Sequence, residues 1–316
     1  NKAADGMGER VAGAQIANRK SQERSGDMRS GALPFIGTFH RFGAKILRER
    51  AEKFGRTSSF SIFDEDDAVS LVRRITKDLG IAAARLSPAG TASAISRMKD
   101  ALAQPSEVLY GDRAAIFAGY ERSLAKSNAF DFADLIEKVV RLWHRHPEIL
   151  ADYQKRFDHV LVDEYQDINA SQAALVTMLA AKHRNLAVVG DDAQSIYGWR
   201  GANVATFLAF EKQWPDARVV TLDQCYRCAP PIIAAASALI SHNAFQKPKE
   251  LWTKNTGGAP IRVVEATDAD EEALWIAEQI ANRGSRTSVA ILYRTNAQSR
   301  AIEQALIANQ LPYRMF

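Results

Sequence analysis

The chain has 316 residues, of which 47% are hydrophobic and 25% are charged, and this composition excludes disordered and collagen-like proteins. Its length leaves room for two or three compact domains. The formal net charge is only +4, but residues 1–60 hold twelve Lys and Arg residues against six Asp and Glu residues. A basic segment of this kind suits a phosphate backbone, although lysine-rich and arginine-rich helix faces are also common on proteins that bind no nucleic acid.

No segment of the sequence predicts a membrane span or a secretory signal. The chain contains no run of about eighteen apolar residues and no basic region followed by an apolar core. We therefore expect a cytoplasmic protein. Because the sequence begins at Asn1 rather than at a methionine and stops at Phe316, where a strand is about to begin, we also expect a fragment.

In chain order, helices come first and alternating strands and helices follow. Residues 60–146 show helical spacing of apolar residues throughout, with acidic residues where the first helix begins. From residue 160, short β-branched runs alternate with helical periodicity, which indicates parallel strands joined by crossover helices. The predicted elements are strands over 160–162, 186–190 and 218–222, with helices over 170–182 and 231–243.

A Gly, Pro and Asn cluster over residues 252–260 is typical of a linker. A second alternation follows it and predicts the opening of another α/β domain. Its elements are strands over 261–264 and 289–293 and helices over 270–282 and 299–309.

Two carboxylates follow the apolar run that ends at Val162. Asp163 and Glu164 stand where ligands bind in open α/β sheets, beyond the carboxyl end of a strand. A carboxylate there suits Mg²⁺, and a second one could orient or deprotonate a water. A role as caps of the next helix explains this stretch alone equally well.

The next predicted strand also ends in carboxylates, Asp191 and Asp192, followed by polar and aromatic side chains. An amide can contact a phosphate, an indole can stack on a nucleobase, and a guanidinium can pair with phosphate. A tryptophan placed in a polar loop between two glycines has little reason to be buried. The side chains concerned are Gln194, Tyr197, Trp199 and Arg200.

Several stretches together resemble the motifs of UvrD/Rep/PcrA-type DNA helicases of superfamily one. The longest are Val162–Asp167, Gly190–Ala202 and Leu222–Arg227. The shorter ones follow the same order as in that family and extend the resemblance over essentially the whole chain: Asn1–Ala4 with Glu9–Val11, Gly37–His40, Phe130–Ile136 and Leu292–Arg300.

The resemblance implies an α/β fold with a RecA-like parallel-sheet motor domain, an inserted helical subdomain and the start of a second RecA-like domain. The first motor domain would comprise residues 1–59 and 147–235, and the helical insertion residues 60–146. The second RecA-like domain would begin at residue 236 and be cut at residue 316.

The same resemblance implies a motor that uses ATP and Mg²⁺ to move 3′ to 5′ along single-stranded DNA and separate the duplex ahead of it. Asp163 would hold Mg²⁺, and Glu164 would activate the attacking water. Gln194 would contact the γ-phosphate, Tyr226 would stack near the adenine, and Arg227 would act as an arginine finger. Positioning and charge neutralisation of this kind dominate phosphoryl transfer.

The implied partners are single-stranded DNA and its junctions with duplex. Stacking on aromatic side chains does not depend on base identity, which suits a protein that moves along DNA. Tyr293, Arg294 and Asn296, in the second α/β domain, are weaker candidates than the others and could equally be structural. The implied DNA-contacting residues are Thr38, Phe39, His40, Phe132, Tyr197, Trp199, Arg200 and Arg294.

The sequence departs from the family at two points. The phosphate-binding loop G-x-x-x-x-G-K-[ST] is absent, so we expect an ATPase whose isolated 316-residue chain is inactive or nearly so. Cys225 and Cys228 stand where the family usually carries Asn and Ser. They form a single C-x-x-C without a second pair or a nearby histidine, which is at most half of a zinc site.

Three other interpretations stay open. The first is a nuclease in which acids at the two strand ends gather two metal ions. The second is a non-catalytic single-strand binding protein derived from a helicase, and the third is the motor part of a helicase-nuclease. The acids of the nuclease interpretation are Asp163, Glu164, Asp167, Asp191 and Asp192.

Overall fold

The computed structural model describes residues 34–82, 86–283 and 288–315 of the chain. The chain divides into two compact units, the first ending at Pro215 and the second beginning at Asp216. This division comes earlier than the domain boundary that the sequence suggested at residue 235. The motif stretches Asn1–Ala4 and Glu9–Val11 lie outside the described residues.

The described part of the first unit begins with α1 (Phe39–Glu49), and Thr38 caps this helix by accepting a hydrogen bond from the Arg41 amide at 3.2 Å. A helical segment follows between two short strands. β1 (Ser61–Phe63) pairs in parallel with β2 (Ala129–Asp131), with Ser61 opposite Ala129. The helices between them are α2 (Glu65–Asp78), α3 (Pro88–Asp100), α4 (Pro105–Val108) and α5 (Asp112–Lys126).

The prediction of helices throughout residues 60–146 is therefore wrong at β1 and β2. Three-residue strands are too short to change the helical periodicity of a long window. Their pairing joins the two ends of the helical segment, whose own core contains Val72, Ile95, Ile116 and Leu124. We conclude that the helical segment begins and ends at the same two-stranded sheet.

Two further helices, α6 (Asp134–Arg145) and α7 (Pro147–Arg156), complete the main core with α1. The backbones of α1 and α6 approach so closely that a Cβ atom on Gly43 would lie 1.9 Å from the Leu135 carbonyl oxygen. A larger residue would therefore separate the two helices. Ile46, Leu47 and Trp143 are among the buried side chains at this centre.

The predicted parallel strands at residues 160 and 186 are confirmed. β3 (Val160–Val162) and β4 (Leu186–Val188) pair in parallel with Val160 opposite Leu186, and α8 (Ala170–Ala180) connects them. Such a crossover brings the ends of both strands to one edge. Short 3₁₀ turns and two short helices follow: Tyr165–Asp167, Asp192–Gln194, Gly198–Arg200, α9 (Val204–Leu208) and α10 (Phe210–Gln213).

In the second unit, the three predicted helices are confirmed as α11 (Pro230–Ile240), α12 (Ala269–Ala281) and α13 (Ser299–Ala308). The predicted strands over 218–222, 261–264 and 289–293 are wrong, because none of these segments has a ladder partner in the described ranges. β-branched residues favour extended backbone, but a strand also needs hydrogen bonds from a neighbour. The second unit contains one isolated bridge within its described residues, between Gln224 and Trp252.

Among the described residues, no helix is both long enough and apolar enough to span a membrane. The cytoplasmic location expected from the sequence stays a prediction.

Candidate nucleotide and nucleic-acid site

The carboxylates after β3 are exposed, whereas Val162 before them is buried. The Glu164 amide donates a hydrogen bond to Asp163 Oδ1 at 3.0 Å. Glu164 itself adopts a left-handed conformation with φ of 51°, which costs a residue with a Cβ about 1 kcal/mol or more. The next helix, α8, is capped by Asn169 through the Gln172 amide at 3.0 Å. Neither Asp163 nor Glu164 caps α8, so the helix-cap interpretation of this stretch does not explain them.

Gln166 connects the two strand ends. Its side chain is 1% exposed. Its Nε2 donates to Glu164 Oε2 at 2.7 Å, and its Oε1 accepts from the Asp191 amide at 3.0 Å. Gln194 Nε2 in turn donates to Asp191 Oδ2 at 2.8 Å. A continuous chain of hydrogen bonds therefore runs from Glu164 after β3 to Gln194 after β4.

Gly190 allows this close approach of the strand ends. A Cβ atom at this position would lie 2.7 Å from Gln166 Oε1 and 2.9 Å from a ring carbon of Phe207. Gln166 and Gly190 were not among the residues predicted to form the site. A glutamine between acids at a strand end is a usable signal, because a buried amide must find both donor and acceptor partners.

Asp163 is suited to bind one cation and belongs to no cluster of metal ligands among the described residues. One exposed carboxylate, as at Asp163, fits Mg²⁺, which takes one or two protein carboxylates and completes its shell with water and phosphate oxygens. Over the described ranges, no group of three or more His, Cys, Asp or Glu side chains is arranged to hold a metal ion. The two-metal nuclease interpretation requires such a group. Its acids, which are all described, do not form one.

Asp163 and the start of α1 line one cavity of about 420 Å³. Thr38, Phe39 and His40 form one part of its wall, and Val160–Asp163 forms another. Phe39 also packs against the apolar core, so its ring is partly buried. The N-terminal residues of α1 and the candidate Mg²⁺ ligand therefore share one cavity.

His40 stacks on Phe132, with ring centroids 3.8 Å apart and an angle of 24° between the planes. Phe132 is 55% exposed although it follows the buried strand β2. Burial lowers the pKa of His40 to about 4, so its ring is uncharged at neutral pH. Two residues separated widely in sequence thus form one flat, uncharged aromatic surface that is open to solvent on the Phe132 side.

A buried ion cluster lies beneath Phe132. Lys99, which is 1% exposed, places its Nζ 2.6 Å from Asp131 Oδ2, 2.8 Å from Asp134 Oδ1 and 2.7 Å from Glu121 Oε1. Burial acts to lower the pKa of Lys99, but the charges of these carboxylates raise it well above its usual value. The Asp134 amide also donates to Asp131 Oδ1 at 2.8 Å. The turn that carries Phe132 is therefore fixed on both sides.

Two further aromatic candidates lie beyond β4 in the 190–202 loop. Trp199 is 68% exposed and Tyr197 is 39% exposed. The 3₁₀ turn that carries Trp199 ends at Arg200, whose side chain lies outside the described residues, and Gly201 follows with φ of 87°. The loop therefore presents an indole face to solvent.

Candidates in the second unit are more exposed. Tyr226 is 78% exposed, and its hydroxyl donates to Gln224 Oε1 at 3.0 Å. Asn255 Nδ2 donates to the Tyr226 carbonyl at 3.2 Å, which holds the backbone of the loop. Arg227 follows and is exposed.

Arg294 is also exposed, and its amide donates to Gln298 Oε1 at 3.0 Å. The Thr295 amide donates to the same oxygen at 3.0 Å. Gln298 therefore fixes the backbone at Arg294 just before α13.

The chain is similar to known helicases along its length. Residues 1–215 match the UvrD/REP helicase N-terminal domain, and residues 220–316 match the UvrD-like helicase C-terminal domain. ATP-dependent DNA helicase PcrA of Staphylococcus aureus is 39% identical over 100% of this chain, which covers 43% of that protein. ATP-dependent DNA helicase PcrA of Staphylococcus epidermidis is 40% identical over 89% of this chain, which covers 40% of that protein.

The chain thus spans less than half the length of the curated relatives that it matches. The two domain matches together include nearly every residue, and the first of them alone includes more than half of the chain. This chain belongs to the UvrD-like helicase family.

Proposed function

We propose that the chain is part of an ATP-dependent motor that moves 3′ to 5′ along single-stranded DNA and separates duplex ahead of it. The supporting observation is the chain of hydrogen bonds that joins Glu164 to Gln194 through Gln166 and Asp191. A group that activates water and a group that contacts the γ-phosphate must keep a fixed distance during hydrolysis. A network that spans both strand ends provides that constraint.

The proposed architecture is the RecA-like arrangement that the sequence suggested. Residues 1–59 and 147–235 would form the first motor domain, residues 60–146 a helical insertion and residues 236–316 the start of a second motor domain. Parallel pairing of β1 with β2 supports an insertion, because it returns the chain to its starting point after the helical segment.

In the nucleotide site, Asp163 would hold Mg²⁺, which neutralises phosphate charge when it is bound. Glu164 orients and deprotonates the attacking water, and Gln166 holds its carboxylate. Gln194 donates its amide to the γ-phosphate. Tyr226 stacks on the adenine, and Arg227 places its guanidinium on the transferred group.

In the DNA site, the aromatic surface of His40 and Phe132 and the exposed indole of Trp199 stack on successive bases. Thr38, Phe39, Tyr197, Arg200 and Arg294 complete the proposed contacts to single-stranded DNA and to its junctions with duplex. Each base stacked on an aromatic ring contributes about 1–3 kcal/mol. Trp199→Ala should therefore weaken single-strand binding about fivefold or more, as measured by fluorescence anisotropy.

DNA-stimulated ATP hydrolysis tests the motor function. The 316-residue chain should show little hydrolysis, because its sequence lacks the phosphate-binding loop. A protein extended through the natural sequence on both sides should hydrolyse ATP when Mg²⁺ and single-stranded DNA are present. In that extended protein, Glu164→Gln should abolish hydrolysis and retain nucleotide binding.

Glu52→Gln is the matched control, because Glu52 is an exposed glutamate in the turn after α1. It should hydrolyse ATP at the parent rate. Full hydrolysis by Glu164→Gln would refute the role of Glu164. Binding of single-stranded DNA without hydrolysis in the extended protein would favour the non-catalytic binding protein instead.

A further inference from the structure

The only two cysteines of the chain lie three positions apart in the loop that precedes α11. Cys225 and Cys228 are both free thiols and both partly exposed. The Cys228 amide donates a hydrogen bond to Cys225 Sγ at 3.4 Å. The turn of the backbone therefore places the sulfur of Cys225 beside the backbone of Cys228 before any bond forms between the two residues.

Neighbouring backbone holds this turn in place. The Cys225 amide donates to the Trp252 carbonyl at 2.8 Å. Asn255 Nδ2 donates to the Cys228 carbonyl at 3.1 Å and to the Tyr226 carbonyl at 3.2 Å. Contacts outside the pair thus hold the backbone of this turn, in addition to the hydrogen bond that Cys225 Sγ accepts.

The two thiols differ in their ease of ionisation. The backbone amides of Cys228 and Arg227, the thiol of Cys228 and the charge of Arg227 lower the pKa of Cys225. Burial and the hydrogen bond to Cys225 raise the pKa of Cys228. A nucleophilic thiolate next to a second thiol is the arrangement by which cysteine pairs oxidise reversibly.

We propose that Cys225 and Cys228 form a dithiol that hydroperoxides oxidise to an intramolecular disulfide. The Cys225 thiolate attacks a peroxide oxygen, so that an S–O bond forms, the O–O bond breaks, and hydroxide leaves. The Cys228 sulfur then attacks the sulfenic sulfur of Cys225. The S–S bond forms, the S–O bond breaks, and the oxygen leaves as water. In total two thiols lose two electrons and two protons, and hydrogen peroxide becomes two waters.

The disulfide would enclose Tyr226 and Arg227 in a small covalent ring. Their backbone would lose the freedom that the reduced loop retains, and the side chains would be presented in one orientation. Formation of the disulfide does not depend on the proposed function. Its effect on nucleotide binding does, because Tyr226 and Arg227 are nucleotide contacts only in that proposal.

Hydrogen peroxide added to the reduced whole chain tests the oxidation directly, since no other thiol is present. We expect the loss of both thiols in a colorimetric titration and an intact mass lower by two hydrogen atoms. The chain should remain monomeric in non-reducing electrophoresis, and dithiothreitol should restore both thiols.

Two serine variants divide the mechanism into its steps, and far-UV circular dichroism checks that each is folded. Cys228→Ser should stop at the sulfenic acid of Cys225, which dimedone traps. Cys225→Ser should lose most of this trapping. Equal trapping in both variants would overturn the assignment of the nucleophile.

Three results with the unmodified chain would overturn the proposal. These are thiols that survive peroxide, sulfinic acid formed without a disulfide, and disulfide-linked dimers as the main product. One Zn²⁺ ion bound tightly by two associated chains would overturn it too, because the pair would then be half of a shared metal site.

Discussion

The two units hold their candidate side chains in different ways. In the first unit, Glu164 and Phe132 are exposed, but each depends on a residue that is 1% exposed, Gln166 for the first and Lys99 for the second. In the second unit, Tyr226 is 78% exposed, and its loop is held through the backbone by an exposed amide, that of Asn255.

Because of this difference, we expect substitutions near the candidate sites to change the free energy of unfolding in the first unit but not in the second. In the first unit, a substitution beneath the site leaves a buried polar group without a partner, so it should lower the free energy of unfolding. In the second unit, a substitution at the site leaves no buried group unpaired. The first-unit sites are therefore preorganised by buried groups, and substitutions at the second-unit sites should change ligand contacts without changing stability.

Lys99→Met should give the largest effect, because it leaves three acidic groups around one buried position without their shared cation. Removing one partner of a buried ion cluster costs about 3–5 kcal/mol. Asp131 loses most, because Asp134 and Glu121 keep their contacts with Lys138. Urea denaturation followed by circular dichroism measures the loss.

Arg97→Met is the control on the same helix. Arg97 is exposed and donates to Ser93 Oγ at 2.7 Å. It should lose less than about 0.5 kcal/mol. Equal losses in the two variants would mean that the ion cluster contributes no more than a surface contact.

The sequence predicted the β3–α8–β4 unit because its pattern is local. Apolar runs mark the two strands, and carboxylates mark their ends at Asp163 and Asp191. The ion cluster was not predictable in the same way. Lys99 lies on α3 and Asp131 on β2, and nothing in their sequence positions indicates that the two side chains meet. The stack of His40 on Phe132 was not predictable for the same reason, since it joins α1 to the turn after β2.

The three strands wrongly predicted in the second unit show that a local pattern can also predict structure that does not form. Val263 and Leu292 are in apolar runs that favour extended backbone, yet they are 96% and 91% exposed. A local pattern reports what a segment prefers, whereas a ladder depends on a partner elsewhere in the chain. The pattern that correctly predicted β3 and β4 therefore also predicted strands in segments that have no paired neighbour among the described residues.

His40 should make the first unit less stable as the pH falls. Its pKa is about 4 in the folded chain and 6.5 as an unperturbed value. Between these values the unfolded chain binds a proton that the folded chain excludes, so stability is lost as the pH falls from about 6.5 to 4. The loss amounts to at most about 3 kcal/mol. His40→Phe should keep the stack on Phe132 and flatten this part of the pH profile in urea denaturation.

The comparison between parent and variant matters, because Asp100 titrates in the same range with the opposite sign. Burial and the charge of Asp131 raise the pKa of Asp100 to about 6, so its contribution favours the folded chain at lower pH. The contribution of Asp100 to stability is the same in the parent and in His40→Phe, so it cancels when the two pH profiles are subtracted. His144→Phe, at an exposed position of α6, should leave the profile unchanged. An unchanged profile in His40→Phe would mean that the ring is protonated as easily in the folded chain as in the unfolded one.

Gln166→Leu should lower the free energy of unfolding by about 1–3 kcal/mol, because the Asp191 amide and the Glu164 carboxylate both lose a partner. Gln213→Leu is the control, since Gln213 is exposed and donates to Thr177 Oγ1 at 2.9 Å. The control should change stability by less than about 0.5 kcal/mol. A Gln166→Leu protein as stable as the parent would show that the strand ends do not depend on this bridge.

Tyr226→Phe should give the smallest effect and should separate the two units most clearly. The substitution removes one hydroxyl, which donates to the partly exposed side chain of Gln224, and leaves a ring that is 78% exposed. The free energy of unfolding should change by less than about 0.5 kcal/mol, because water replaces the lost partner. Stacking depends on the ring and not on the hydroxyl, so nucleotide binding by the extended protein should also persist, whereas Tyr226→Ala should weaken it at unchanged stability. A loss of stability in Tyr226→Phe as large as that in Gln166→Leu would contradict the distinction between a site held by buried groups and a site held only through its backbone.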